Sequence, residues 1–395
     1  MKRKVHSGRK SAGRPAASHK LTPPDCKHFT GYKPCFPGTR CYEKCVDYDP
    51  IGSRILLVNL DAMGNVLVTT SILPAIKQKY PHSTLTWLTD GNTAPLLQHN
   101  PLIDRIMTWT PESWLVLQQL KFDVVLNVDK SLRSGALTMA VKSSKKLGFG
   151  INESGQIIPL NKEAHENYLL GLDDQLKFRE NTKSVSRLQC EEFQLKFGRG
   201  EYILNLTDEE VAYCAQYRRE HGLDRASIVV GLNTGCSELF PNKKMTIDQH
   251  VVLVNRLSEL PGVRTVLVGG PEDTLRNAEI ARLTVEKALN TPTTEGLRRG
   301  ICYENICDVI ITGDSFGMHL GIALRKFVIV WFGVSSPNEI DLFERGIKLI
   351  PEGLSCSPCW KRSCPYNLEC LQMIDLIRIV REVENFAATR SGKHA

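Results

Sequence analysis

The stretch Arg54-Ile-Leu-Leu-Val-Asn-Leu-Asp-Ala-Met-Gly-Asn-Val-Leu-Val-Thr-Thr-Ser-Ile-Leu-Pro74 decides the fold. It reads as a buried strand, then a loop of small residues, then a helix. A second stretch, Asp308-Val-Ile-Ile-Thr-Gly-Asp-Ser-Phe-Gly-Met-His319, repeats the pattern. Strand-to-helix turns of this kind hold phosphate-bearing ligands, because a helix N-terminus presents unpaired backbone N–H groups and a partial positive charge. Two such turns far apart in one chain predict two α/β domains facing one cleft.

Outward from residue 54, apolar strands alternate with helical periodicity. Strands are expected at Ile55–Asn59, Thr84–Leu88, Arg105–Thr108 and Asp123–Asn127, with helices over Val66–Tyr80, Thr93–His99 and Glu112–Leu120. Continuous apolar strands between helices mean a parallel sheet covered on both faces. Residues 150–210 are more polar and read as the rest of the first domain plus a connection. A helix is expected from Asp208, as N-cap, to His221, with Gly222 suited to the C-cap. Alternation resumes with strands Ile228–Leu232, Thr265–Val268, Val309–Ile311 and Phe327–Phe332 and helices Ile247–Leu257, Glu272–Leu283 and Gly317–Leu324. Met373, Leu376, Ile377, Val380 and Val383 share one face of a final helix, expected to return to the first domain.

The fold class is therefore α/β, with two Rossmann-like, doubly wound domains facing a cleft. The expected organisation is a disordered basic tail (1–25), a Cys-rich segment (26–49), a first domain (50–210) and a second (211–354). A Cys-rich segment with the returning helix (355–395) completes it. Ligands of such sheets bind at the carboxyl ends of the strands.

Charge and cysteine usage narrow the class. The net charge of +7 is concentrated in residues 1–22, which hold Lys2, Arg3, Lys4, Arg9, Lys10, Arg14 and Lys20 and no acid. Such an arm is either solvated or weakly attracted to anionic lipid or nucleic acid. No nucleic-acid motif accompanies it. The longest apolar run, Phe327 to Phe332, is far too short for a bilayer span, and no apolar stretch follows the basic N-terminus. A cytoplasmic protein is expected. Of 13 cysteines, eight fall in two clusters: Cys26, Cys35, Cys41 and Cys45, then Cys356, Cys359, Cys364 and Cys370. Thiolate clusters select zinc or iron, including iron–sulfur centres. A reducing compartment disfavours disulfides. Structural duty is expected of any metal held by four thiolates.

The chain resembles glycosyltransferase family 9, the group that includes the lipopolysaccharide heptosyltransferases. Four motifs carry the resemblance: Leu60-Asp-Ala-Met-Gly-Asn65 with the following Thr-Thr-Ser-Ile-Leu-Pro74, Asn233-Thr-Gly-Cys236 followed by Pro241-Asn-Lys-Lys-Met245, Val268-Gly-Gly-Pro-Glu272, and Gly313-Asp-Ser-Phe-Gly-Met-His319. The resemblance implies a GT-B fold and inverting transfer from a nucleotide sugar without a catalytic metal. The nucleotide sits mainly on the second domain and the acceptor on the first. The implied donor is a nucleotide sugar such as ADP-heptose. The implied acceptor is lipopolysaccharide core or another glycan, with a protein acceptor left open, and the implied place is the cytoplasm or the periphery of the inner membrane.

Inverting transfer needs a base for the acceptor hydroxyl, positive groups at the leaving diphosphate, and a cleft that aligns the reacting atoms. Thr234 and Gly235 end a strand where backbone can approach phosphate. Lys243 matches the family's lysine at the leaving phosphate. Asp314, Ser315, Gly317 and His319 form the second turn, with Ser315 and its backbone placed for phosphate oxygens. His319 is either a ligand contact or a structural histidine. Glu272 suits ribose hydroxyls, because a carboxylate accepts two hydrogen bonds; it also suits a plain first-turn acid. Relatives carry Asp where this chain has Asn65, and an amide cannot take a proton near neutral pH. Asp61 is the first substitute base and Asp129 the second, with Asn65 left to orient a hydroxyl. The competing reading is a nucleotide-sugar-binding protein that has lost turnover.

Overall fold

The computed structural model describes residues 24–29, 31–41, 45–225 and 228–391. Nearly all of the basic tail expected over residues 1–25 lies outside the described residues. The chain divides into two compact units, residues 1–52 and 53–395. In the first, buried Cys26 pairs with Pro50 in an isolated antiparallel bridge. The ion pair Lys27–Asp49 (3.4 Å) sits beside it.

The second unit contains two six-stranded sheets. The first consists of β1 (Ser53–Val58), β2 (Ser83–Thr89), β3 (Arg105–Thr108), β4 (Lys121–Asn127), β5 (Lys142–Ile151) and β6 (Ile157–Pro159). Their spatial order is β3-β2-β1-β4-β5-β6, parallel except for the β5–β6 hairpin. The second sheet consists of β7 (Ile228–Asn233), β8 (Val263–Val268), β9 (Leu289–Asn290), β10 (Val309–Gly313), β11 (Phe327–Trp331) and β12 (Gly346–Leu349). Its order, β12-β11-β10-β7-β8-β9, is parallel throughout. Each order reverses once, between β1 and β4 and between β7 and β10. Crevices at such reversals are where open α/β sheets take ligands.

Helices α1 (Met63–Thr70), α2 (Leu73–Lys79), α3 (Ala94–Leu97), α4 (Pro111–Gln119) and α5 (Leu132–Ala140) belong to the first sheet. Helices α6 (His165–Leu169), α7 (Val185–Glu192) and α8 (Asp208–Glu220) lie between the sheets in sequence. Helices α9 (Ile247–Ser258), α10 (Thr274–Leu283), α11 (Leu297–Asn305) and α12 (Phe316–Ala323) belong to the second, and α13 (Glu369–Gln372) and α14 (Leu376–Ser391) close the described chain. Strand β1 is apolar at every buried position, and β7 is so up to Asn233 at its carboxyl end, as the sequence demands of strands covered twice.

Four expectations are corrected. The helix expected over Val66–Tyr80 is two helices. Pro74, in the first turn of α2, has no N–H to continue α1, and the Thr70 and Ser71 hydroxyls donate back to Leu67 and Val68 carbonyls at 2.6 Å. The β5–β6 hairpin occupies part of the segment read as irregular, because β5 begins with charged and polar residues that conceal its period. The cap of α8 is Thr207 rather than Asp208: Thr207 Oγ1 accepts from the Glu210 N–H (3.2 Å) and Glu210 accepts from the Thr207 N–H (2.9 Å). Finally, α14 does not return to the first sheet. Its Ile379 and Val383 are buried with Leu253 and Val254 of α9, and the Phe386 and Phe327 rings lie 4.9 Å apart.

Candidate active site

Asn233, at the carboxyl end of β7, ties the two turns of the second sheet together. Its amide nitrogen donates to Thr312 Oγ1 (3.0 Å) and Ser315 Oγ (2.9 Å). Gly317 is required above it, since a Cβ there would fall 2.5 Å from the Asn233 side chain. Ser315 is the N-cap residue of α12, although its hydroxyl goes to Asn233 and Thr312 instead of capping. The Ser315 side chain therefore makes no cap bond to the backbone N–H groups of that first turn.

Lys243 is not a solvated surface lysine. Its Nζ lies 2.7 Å from Asp314 Oδ2, and the two side chains are only 12% and 13% exposed. Ser335 donates to the same carboxylate. Burial pushes the Asp314 carboxyl up, but the charge of Lys243, then of His319, and the hydrogen bonds from Lys243 and Ser335 outweigh it, leaving Asp314 below the usual range. The Lys243 carbonyl accepts from the Trp331 indole (2.9 Å), and a side chain at Gly313 would strike the same carbonyl. The Lys243 ammonium is thus paired with Asp314, while its backbone is fixed against Trp331 and Gly313 at the β7–β10 reversal.

Thr234 is buried and its hydroxyl donates to Asn277, so that side chain holds the turn. A side chain at Gly235 would strike the Asp273 carboxylate, which accepts from the Gly270 N–H (3.0 Å). Glu272, one residue earlier, is exposed at the start of the same turn.

In the first sheet Asp129 follows β4 and is 5% exposed. It accepts from the Asn59 amide (2.8 Å), from the Leu60 N–H, and from the Asp61 N–H at 3.4 Å. Burial pushes its carboxyl up to about 7, against the hydrogen bonds it accepts. Asp129 is thus a clamp on the turn that carries Asp61. Asp61 itself is open to solvent and 3.3 Å from Arg133. Arg133 binds Asp90 through both nitrogens (3.1 and 2.9 Å). Asn65 is exposed in the first turn of α1. Ala62 precedes that helix at φ 55°, a region non-glycine residues rarely occupy, so the Asp61–Asn65 turn is conformationally specified. Arg133 and Asp90 were not found from sequence. The available signal was Asp90-Gly91 directly after a strand, at the ligand-binding edge.

The two turns meet. Helix α1, which leaves the Asp61 turn, packs on α12, which leaves the Asp314 turn. The contact is intimate: a Cβ on Gly64 would lie 2.5 Å from His319 Cδ2. His319 is 9% exposed and stacks on Tyr202, their centroids 6.1 Å apart. Its place is between the helices. Gly64→Ala should destabilise the protein by about 1–3 kcal/mol in urea unfolding, as overpacking does. Burial lowers the His319 pKa to about 4. The unfolded ring takes a proton below about 6.5 that the folded ring refuses, so stability falls as pH drops from 6.5 towards 4. Between pH 7 and 5 the loss should be ~2 kcal/mol larger in the parent protein than in His319→Gln.

The cysteine clusters differ. All thirteen cysteines are free. Cys356, Cys359, Cys364 and Cys370 all line one cavity of about 270 Å³. Burial raises the Cys370 thiol, and Cys359, Cys364 and Cys356 raise it further. Cys35 is exposed whereas Cys26 is buried. Among the described residues, no three His, Cys, Asp or Glu side chains already stand in ligating positions in either cluster.

The family model described as glycosyltransferase family 9 (heptosyltransferase) matches residues 114–369, well over half of the chain. The chain belongs to glycosyltransferase family 9. It is 21% identical over 339 residues to lipooligosaccharide heptosyltransferase 2 of Campylobacter jejuni, covering 82% of this chain and 96% of that one. It is 26% identical to the lipopolysaccharide core heptosyltransferase OpsX of Haemophilus influenzae over 29% of this chain and 35% of that one. Among solved structures, a family 9 glycosyl transferase from Veillonella parvula superposes with a TM-score of 0.67 at 18% identity, covering 86% of this chain and 98% of that one. The E. coli ADP-heptose lps heptosyltransferase II gives 0.65 at 17% identity, covering 86% and 99%. The iron-containing dodecameric glycosyltransferase TibC of enterotoxigenic E. coli gives 0.51 at 13% identity, covering 86% and 76%. Membership of family 9 makes this chain a glycosyltransferase, and its two lobes form the GT-B fold.

Proposed function

We propose that this family 9 glycosyltransferase moves heptose from ADP-heptose onto a lipopolysaccharide core acceptor, inverting the anomeric carbon, with no metal in the transfer step. One observation carries the reading: the helices leaving the Asp61 and Asp314 turns touch at Gly64 and His319, so both sheet reversals open on one cleft. Lys243, Ser315 and the α12 N-terminus take the diphosphate, where fixed positive charge is worth most as the leaving group forms. Exposed Glu272 takes the ribose hydroxyls. Asp61 accepts the acceptor proton, and Asn65 orients that hydroxyl. The heptosyltransferase names of the relatives support this donor and acceptor.

A lipid-borne acceptor places the enzyme at the cytoplasmic face of a membrane, as a peripheral protein. Among the described residues, no helix is long and apolar enough to cross one. The Cys356, Cys359, Cys364 and Cys370 loop is read as a structural metal site. Four thiols around one cavity suit zinc or iron, which all-thiolate sites select, and the iron of TibC supports this. The ion would cross-link the loop.

The test is incubation of the protein with ADP-heptose and delipidated lipopolysaccharide core. ADP release with a one-heptose mass gain in the glycan is expected. Donor binding without turnover would instead favour the binding-protein reading that Asn65 suggests, and no binding at all would overturn both.

A further inference from the structure

The thiol loop and the diphosphate lysine share a wall. Trp360, next to Cys359, is half-exposed, with its ring centroid 5.3 Å from Lys243 Nζ and 4.6 Å from Lys177 Nζ. The Phe240 ring, 4.9 Å from Trp360 and 5.2 Å from Lys243 Nζ, closes the other side. Ammonium groups within about 6 Å of an indole are attracted to its face. Trp360 holds this place at φ 49°, with its N–H and that of Cys359 both donated to the Val334 carbonyl (2.8 and 3.1 Å). An isolated chain would not favour that conformation, so the loop must impose it.

Two further links run from the loop to the site. Asn242, beside Lys243, donates to the Lys361 carbonyl (2.8 Å). The segment after β11 is gripped on one side by the loop, where Ser357 Oγ donates to the Gly333 carbonyl (2.8 Å) and Cys370 lies 2.9 Å from where a Gly333 Cβ would stand. On its other side, Ser335 donates to Asp314, the partner of Lys243.

We propose that the Cys356–Cys370 loop is a positioning device for the diphosphate site, and that a metal ion closing its four thiols seats Trp360 over Lys243 and so tightens binding of the nucleoside diphosphate. This rests on the transferase and metal readings above. Each thiol that binds the ion releases its proton to solvent, with no change of oxidation state. Trp360 is a positioning residue: it acts through Lys243. Because the coupling is between two binding equilibria, it must be reciprocal.

The experiment is calorimetric titration of ADP into full-length protein, loaded with zinc or stripped by chelator, with zinc content measured by elemental analysis. One zinc per chain and about tenfold tighter ADP binding to the loaded form are expected, with ADP raising zinc affinity by the same factor. Trp360→Ala should keep its zinc yet bind ADP equally in both forms, and Trp360→Phe should restore part of the difference. Equal ADP affinity of loaded and stripped parent protein would overturn the coupling alone. Failure to take up zinc or iron would overturn the metal device. Failure of both forms to bind ADP would instead sink the transferase reading beneath it.

Discussion

Lys243→Met should lower kcat/KM for the donor by about 10²–10³-fold, the usual consequence of removing one fixed positive or donating group from a developing oxyanion. The arrangement makes this effect large. The ammonium group is nearly buried, anchored through its own carbonyl by Trp331, and close to the N-terminus of α12. Its charge is thus weakly screened where the diphosphate leaves. The variant also strands the buried Asp314 carboxylate, which should cost about 3 kcal/mol of stability. The double variant Lys243→Met/Asp314→Asn separates the two effects. It removes the stranded charge and should recover most of the stability in urea unfolding while turnover stays low. Recovery of turnover in the double variant would show that Lys243 serves only to neutralise Asp314.

Asp61→Asn should reduce kcat by about 10²–10⁴-fold with little change in donor KM, as expected when a general base is lost but binding is kept. Asp61 is more exposed than Asp90 (43% against 30%) and meets Arg133 through one nitrogen only. Asp129 is enclosed, and its oxygens accept from Asn59, Leu60 and Asp61. Asp90 is held by both nitrogens of Arg133. Asp129→Ala is expected to act through stability, by releasing the turn. Normal turnover in Asp61→Asn, measured as ADP release with acceptor present, would remove Asp61 from the mechanism.

Much of the fold was written in periodicity. Strands such as the run Ile228–Leu232, apolar on both faces, can only lie in a covered parallel sheet, and the small-residue turns after them mark the ligand edge. What stayed hidden depended on contacts distant in sequence. Strand β5 begins with Lys142 and polar neighbours because it lies toward the sheet margin, so it lacks the apolar run of the central strands. The return of α14 was misjudged because an amphipathic face shows that a helix packs but not on what; α9 supplies the surface.

The places of Lys243, Asp314, Ser315 and Gly317 in the fold were legible, because a motif fixes the backbone there. It was less legible where side chains from separate segments meet. Nothing local in the sequence of Arg133 shows that it will bridge Asp61 and Asp90, and nothing at Trp360 shows that it will cover Lys243. Nor does the motif around Thr234 show that its hydroxyl will donate to Asn277, which lies on another helix.

The central claim is that one cleft between the lobes clasps the donor's pyrophosphate. A crystal structure of the protein soaked with ADP-heptose tests it most directly. The account predicts pyrophosphate oxygens within hydrogen-bond reach of Lys243 Nζ and of the backbone N–H groups after Ser315, with the anomeric carbon turned toward Asp61. Donor bound at any other place, with Lys243 still paired only to Asp314, would contradict it.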